Sequence, residues 1–95
     1  MSLSSFSTAK FPLGRIVMTH SVMNSLSEED IFTGIRRHQS GDWGDVCEED
    51  RAANDRALVE GTRLLSEYRT PQGVTFWINT EADRSVTTIL FPEDY

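Results

Sequence analysis

Two short segments carry the residues that could do chemistry. The first is Gly41-Asp42-Trp43-Gly44-Asp45, with His38 three residues upstream of it. Two carboxylates, an imidazole and an indole could hold a metal or support acid–base catalysis. The spacing His38-x3-Asp42-x2-Asp45, however, matches no specific metal-ligand pattern. Each residue also has a structural explanation. The glycines suit a tight turn, Asp45 suits a helix N-cap, and Trp43 suits a core anchor at the end of a sheet. The second segment is Glu81-Ala82-Asp83-Arg84-Ser85. A carboxylate pair beside an arginine could bind a substrate or a cation. Turn chemistry explains it equally: Asp83 caps the bend and Arg84 offsets the acids. Phosphate-binding glycine loops, the Gly-x-Ser-x-Gly elbow and His-Glu-x-x-His are all absent. The one cysteine, Cys47, is followed by Glu48, Glu49 and Asp50, whose charge opposes thiolate formation. We therefore expect no cofactor, no metal and no catalytic residue. A small hydrolase or nuclease using Asp42, Asp45, Glu81 and Asp83 is the enzymatic alternative.

Ninety-five residues with 38% hydrophobic content make one domain with one core. The expected organisation is a flexible N-terminal tail over 1–10 and a single α+β domain over 11–95. No stretch has the ~20 apolar residues that span a bilayer, so no membrane association is expected. The Ser/Thr-rich start has neither a basic nor an apolar leader region, which predicts a cytoplasmic protein. The formal charge is −6, and it is unevenly placed. Ten carboxylates and four arginines lie between Glu28 and Glu60, whereas the rest of the chain balances. An acidic face repels phosphate backbones, so no direct nucleic-acid binding is expected. It could instead meet a basic protein, as an acidic DNA-mimic inhibitor of the antirestriction type would.

The elements that must position these residues are short. Ile16, Val17 and Met18 centre a first strand, entered by Pro12 and Gly14. A short helix follows from Ser21, its expected N-cap, to about Ser25. Ser27 opens a second helix, about Glu28 to Gln39, with acids in its first turn and Arg36, Arg37 and His38 in its last. Ile31 and Ile35 stack along it and Phe32 widens the stripe. A third helix runs from about Val46 to Glu60, capped by Asp45 and ended by Gly61, with Ala53 and Ala57 as its packing stripe. The pattern then alternates. Thr62–Arg69, Val74–Thr80 and Ser85–Phe91 read as three strands of a meander.

Turn lengths fix the expected registers. A three-residue loop at Pro71–Gly73 sets Tyr68 opposite Phe76 and Ser66 opposite Ile78. Pairing Thr80 with Val86 across the second turn sets Trp77 opposite Ile89. The helix-covered face then carries Leu64, Tyr68, Phe76, Ile78, Val86 and Leu90. The other face carries Leu65, Glu67, Trp77, Asn79, Thr87, Ile89 and Phe91. Trp77 beside Ile89 is a large apolar pair on the side that should face water. It predicts a cover: the N-terminal tail with Phe6 and Phe11, a second copy of the chain, or another protein.

Several segments together resemble one family. They are Phe11-Pro-Leu-Gly-Arg-Ile-Val, Arg37-His-Gln-Ser-Gly-Asp-Trp-Gly-Asp, Asn54-Asp-Arg-Ala-Leu and the block from Trp77 to Tyr95. The family consists of small bacterial proteins carried on plasmids and other mobile elements, known as plasmid-related proteins. The resemblance spans Phe11 to Tyr95. It implies a bacterial, plasmid-linked context and no mechanism.

The sequence thus predicts an α+β fold of order β-α-α-α-β-β-β. It has a four-stranded antiparallel sheet with helices on one face, and the first strand beside the last or at an edge. The expected role is a non-enzymatic protein-interaction or accessory protein, with a protein partner or itself as a homodimer. The expected binding residues are Trp77, Ile89, Trp43, Asp42, Glu81, Asp83 and Arg84.

Overall fold

A computed structural model describes residues 9–95, so the expected tail lies largely outside the described residues. The α+β class is as expected. Strand β1 (Arg15–Met18) leads into helices α1 (His20–Ser25), α2 (Glu28–Gln39) and α3 (Glu48–Glu60). Strands β2 (Leu64–Arg69), β3 (Thr75–Thr80) and β4 (Val86–Leu90) follow, and a 3-10 turn over Pro92–Asp94 ends the chain. The sheet order is β1-β4-β3-β2. Among the described residues no helix is long and apolar enough to cross a membrane.

The sheet is mixed rather than antiparallel. β1 lies at an edge beside β4, as expected, but runs parallel to it, with Ile16 opposite Thr87 and Met18 opposite Ile89. The helices carry the chain back to the end of the sheet where β1 began. β2 therefore starts in the direction of β1, and the two hairpins leave β4 in that direction too.

The β2–β3 register is as expected, with Tyr68 opposite Phe76 and Ser66 opposite Ile78. The β3–β4 register is one residue away from the expected one. Trp77 faces Leu90, Ile78 faces Ile89 and Thr80 faces Thr87. The second loop is longer than expected. Glu81 N–H donates to the Val86 carbonyl (3.0 Å), and Arg84 N–H closes a tighter turn onto Glu81 (2.9 Å). Arg84 supplies the left-handed residue, φ 63°, that glycine usually supplies. A one-residue slip exchanges the faces of a strand. Thr87, Ile89 and Phe91 are thus on the core side, and Val86, Thr88 and Leu90 on the other.

Two caps also differ. Thr19, not Ser21, caps α1: its Oγ1 accepts from Val22 N–H at 3.3 Å. α3 starts at Glu48 after Cys47, which makes no side-chain cap bond. Asp45 is engaged elsewhere, its N–H donating to the Glu67 carbonyl at 2.7 Å. Ser27 and Gly61 cap α2 and α3 as expected.

The helices bury one sheet face in two adjoining clusters. One joins Val22, Leu26 and Ile31 to Tyr68, Phe76, Ile78, Ile89 and Phe91. The other joins Phe11, Trp43, Ala57 and Leu64. Gly34 lets α2 approach closely, because a Cβ there would lie 2.9 Å from Phe76 Cε2. On α3 the inward residues are Asn54 and Ala57, and Ala53 is exposed.

Candidate interaction surface

Most polar groups that looked available for chemistry are engaged inside the fold. His38, on the last turn of α2, is fully buried. Its Nδ1 lies 2.6 Å from Ser66 Oγ and its Nε2 lies 2.9 Å from Thr80 Oγ1. Thr80 Oγ1 lies 2.8 Å from Thr87 Oγ1, which donates to the Leu13 carbonyl at 2.7 Å. A carbonyl can only accept, so the order of protons along this chain is determined. Thr87 gives its proton to Leu13, Thr80 gives its own to Thr87, and His38 Nε2–H donates to Thr80. Nδ1 is then bare and accepts from Ser66. Burial, reinforced by the Arg84 cation, lowers the His38 pKa from 6.5 to about 3. Ser66 beside a neutral imidazole resembles an activated hydroxyl, but both residues have no exposed surface. The relay cross-links α2, β2, β3, β4 and the segment before β1.

The other sequence-predicted residues are dispersed. Asp42 holds Arg37 through two hydrogen bonds, Arg37 Nε–Oδ2 at 2.8 Å and Arg37 Nη2–Oδ1 at 3.2 Å. The Arg37 bond is the chief reason the Asp42 carboxyl is held below its ordinary pKa. Arg37 also stacks over Tyr68, 4.7 Å from the ring centroid. Trp43 is fully buried, and its Nε1–H donates to Asp55 (3.0 Å). It stacks near Phe11, with centroids 6.3 Å apart. Glu81 accepts from Asn79, and Asp83 accepts from the N–H and hydroxyl of Ser85. Arg84 reaches from the hairpin to the end of α3, donating to the carbonyls of Ala57 (3.0 Å) and Thr62 (2.6 Å). It thereby supplies the cation that the last turn of α3 lacks. The Asp42 loop pairs with Glu67, whereas Glu81 adjoins Thr80 opposite Leu64. These two β2 positions, Glu67 and Leu64, are three residues, roughly 10 Å, apart along the strand. Among the described residues no group of three or more His, Cys, Asp or Glu could hold a metal ion.

The expected Trp77–Ile89 pair does not form. Ile89 is fully buried against the helices. Trp77 is half-buried on the opposite face beside Leu90, donates to Glu67 Oε1 (3.1 Å), and meets Tyr95 edge-on at 6.0 Å. Phe11 lies in the core and so does not cover that face, while Phe6 lies outside the described residues.

The two edges of the sheet differ. At β2, Asn54 copies a neighbouring strand: its amide donates to the Leu65 carbonyl (2.8 Å) and accepts from Leu65 N–H (3.1 Å). One step along, Glu67 N–H donates to the Trp43 carbonyl (3.1 Å) and the Glu67 carbonyl accepts from Asp45. This close approach explains Gly44, where a Cβ would collide with the Glu67 carbonyl. Both devices block edge pairing. β1 carries neither. Arg15 N–H donates to the Ser85 carbonyl just before β4, and Thr19 N–H donates to the Ile89 carbonyl within it. By the alternation of a parallel ladder, the N–H and C=O of Ile16 and Met18 point away from the sheet. They have no hydrogen-bond partner among the described residues.

Beside this edge lies an exposed apolar corner. Met18, Met23, Leu26, Glu28, Ile31 and Phe32 line a groove of about 270 Å³. Met23 and Phe32 are 60% exposed, and Ile16, on the same side of β1 as Met18, is 42% exposed. A Phe or Met side chain gains ~1.5–3 kcal/mol when fully buried, so this corner forgoes most of that. A second depression of about 460 Å³ lies between α2 and the β2–β3 hairpin. Its walls carry Glu29 and Asp30 with Arg37 and Arg69, and Arg37 is already bound to Asp42. Sequence reasoning placed Phe32 in the core stripe and Met18 at a strand centre, and it passed over Met23. The signal was that Phe32 adjoins Ile31 in sequence and so lies about 100° around the helix from it. No family profile, curated protein or solved structure matches this chain.

Proposed function

We propose that this chain is a non-enzymatic protein-interaction module that binds an extended segment at the β1 edge and the groove beside it. The observation that carries this reading is the asymmetry of the sheet. One edge is closed by Asn54 and the Trp43–Asp45 loop, while the other presents Ile16 and Met18 next to exposed Met23 and Phe32. Main-chain groups at an open edge supply affinity, and a flanking apolar groove supplies side-chain selectivity. Methionines suit such a groove because they repack around different partners. The carboxylates proposed for catalysis are occupied locally and lie apart, so a hydrolytic role has less support. The bacterial, plasmid-linked setting implied by the sequence resemblance belongs to the same proposal.

Selection of linear peptides from a random library against the full chain tests this. Ile16→Lys and Phe32→Asp, both at exposed positions, should abolish binding of most selected peptides. Peptides that bind these variants as tightly as the parent would place recognition elsewhere.

A further inference from the structure

The β1 edge is self-complementary, and we propose that its occupant is a second copy of this chain. The inference rests on the edge being a docking surface and adds the partner, the direction and the register. Two β1 strands related by a two-fold axis run antiparallel and join two four-stranded sheets into one of eight strands. A two-fold contact uses the same patch on both copies, so each unpaired group must find its complement in the same strand.

Only one register satisfies both the main chain and the charges. The outward-facing residues of β1 are Ile16 and Met18. Placing Ile16 opposite Met18 of the second copy centres the axis on Val17. Directly opposed residues of this type exchange both N–H···O=C bonds, so the two symmetric pairs supply four main-chain hydrogen bonds. Shifting the axis to Met18 would set Arg15 against Ser21, inside α1, where no strand continues. Shifting it to Ile16 would leave Met18 opposite Gly14.

In the favoured register Arg15 stands opposite Thr19 of the second copy. Thr19 Oγ1 donates to Asp94 at 2.8 Å, so a carboxylate waits at that position, with Glu93 adjacent in sequence. Asp94 is held ionised by its bonds from Phe91 N–H and Thr19, which keep its pKa below the ordinary value. Arg15 is exposed and forms no ion pair among the described residues. The two-fold therefore brings together the Arg15 cation of one copy and the Asp94 carboxylate of the other on each side of the axis. Opposed residues also share a face, so Ile16 and Met18 of both copies adjoin on the helix side. This brings the two Met23/Phe32 grooves towards each other and removes exposed apolar surface from both at once. A heterologous peptide would satisfy the edge but would not require this agreement of charge and register within the five residues from Arg15 to Thr19.

The test is sedimentation equilibrium of the full chain from micromolar to millimolar concentration, with amide hydrogen exchange read at both ends of the range. The expected mass rises to twice 10.8 kDa. Ile16 and Met18 amides should become protected as it does. Ile16→Lys should keep the parent circular dichroism and sediment as a monomer. Arg15→Glu should raise the dissociation constant about tenfold, and added salt should weaken the parent more than this variant. A chain that stays monomeric throughout overturns the proposal. So does a dimer that survives Ile16→Lys, or one in which Ile16 and Met18 exchange at the same rate at both concentrations. A monomer that still binds library peptides in an Ile16-dependent way would overturn the second copy and leave the docking surface standing.

Discussion

Acidification should unfold this protein through His38. The native imidazole is neutral, with Nε2–H given to Thr80, and its pKa is lowered to about 3, whereas the unfolded chain has the ordinary value of 6.5. Between those values the unfolded state binds a proton that the native state refuses. The associated stability is therefore complete above about pH 6.5 and declines as pH falls towards 3. At pH 5 the protonation term, RT ln(1 + 10^1.5), is ~2 kcal/mol relative to neutral pH. That size is nearly independent of the native pKa, provided it lies well below 5. The loss should appear as a fall of ~1–2 M in the urea midpoint between pH 7.5 and pH 5. His38→Gln is the matched control. Its amide can accept from Ser66 and donate to Thr80, and it cannot titrate. It should lower stability at pH 7.5 but remove ~2 kcal/mol of the pH dependence. Equal losses in the parent and His38→Gln would refute the reasoning. So would an NMR titration of the folded protein that places His38 near pH 6.5.

Gly34→Ala should cost ~1–3 kcal/mol in urea unfolding, because its Cβ would press on the buried ring of Phe76 and the Ile78 methyl. A neutral result would mean that α2 is free to shift outward. At Arg84 two opposing terms can be separated. Arg84→Ala loses the bonds to Ala57 and Thr62 and keeps the left-handed strain, whereas Arg84→Gly loses the bonds but relieves the strain. Both should destabilise in thermal or urea melts, and the glycine variant should be the more stable of the two by ~1 kcal/mol. The reverse order would show that Arg84 is not strained.

Local signals suffice for the existence of the helices and for the first hairpin. Ser27 with its following acids, Gly61, and Pro71 to Gly73 each act within a few residues, and α2 and the β2–β3 register came out as expected. The second hairpin failed because its left-handed position is occupied by arginine, which carries no turn signature. That arginine is held there by carbonyls on α3, a long-range cause invisible to local reading. The single slipped residue then moved Ile89 from the supposed surface into the core. The same limit hid the use of Asp45: it fits an N-cap, but its backbone is drawn to Glu67 on β2. His38 was read as a possible ligand because its hydroxyl partners lie on strands 28 and 42 residues away. The Trp77–Ile89 pair depends on the register that slipped, and the groove beside β1 is not legible in the strand pattern. Alternation along strands reveals faces, whereas the groove here forms where a strand edge meets two helices.

If edge closure keeps these molecules from pairing at β2, opening that edge should create a new association. Asn54→Ala removes both bonds to Leu65 and leaves one N–H and one C=O facing outward beside α3. Two lost hydrogen bonds, offset by the better helix propensity of alanine, give a net cost of ~1–2 kcal/mol. The fold should survive that cost, and its circular dichroism should be unchanged. Sedimentation should then show species larger than those of the parent at the same concentration. Ile16→Lys, which acts at the opposite edge, should not suppress the added contact but should cap the growth of any chain of copies, because a molecule with two open edges can extend and a molecule with one cannot. The double variant should therefore stop at a pair joined through β2. An Asn54→Ala protein that is folded, destabilised as expected and no more associated than the parent would mean that the Trp43–Asp45 loop alone closes the edge. The β1 edge would then be unusual for lacking one device rather than two.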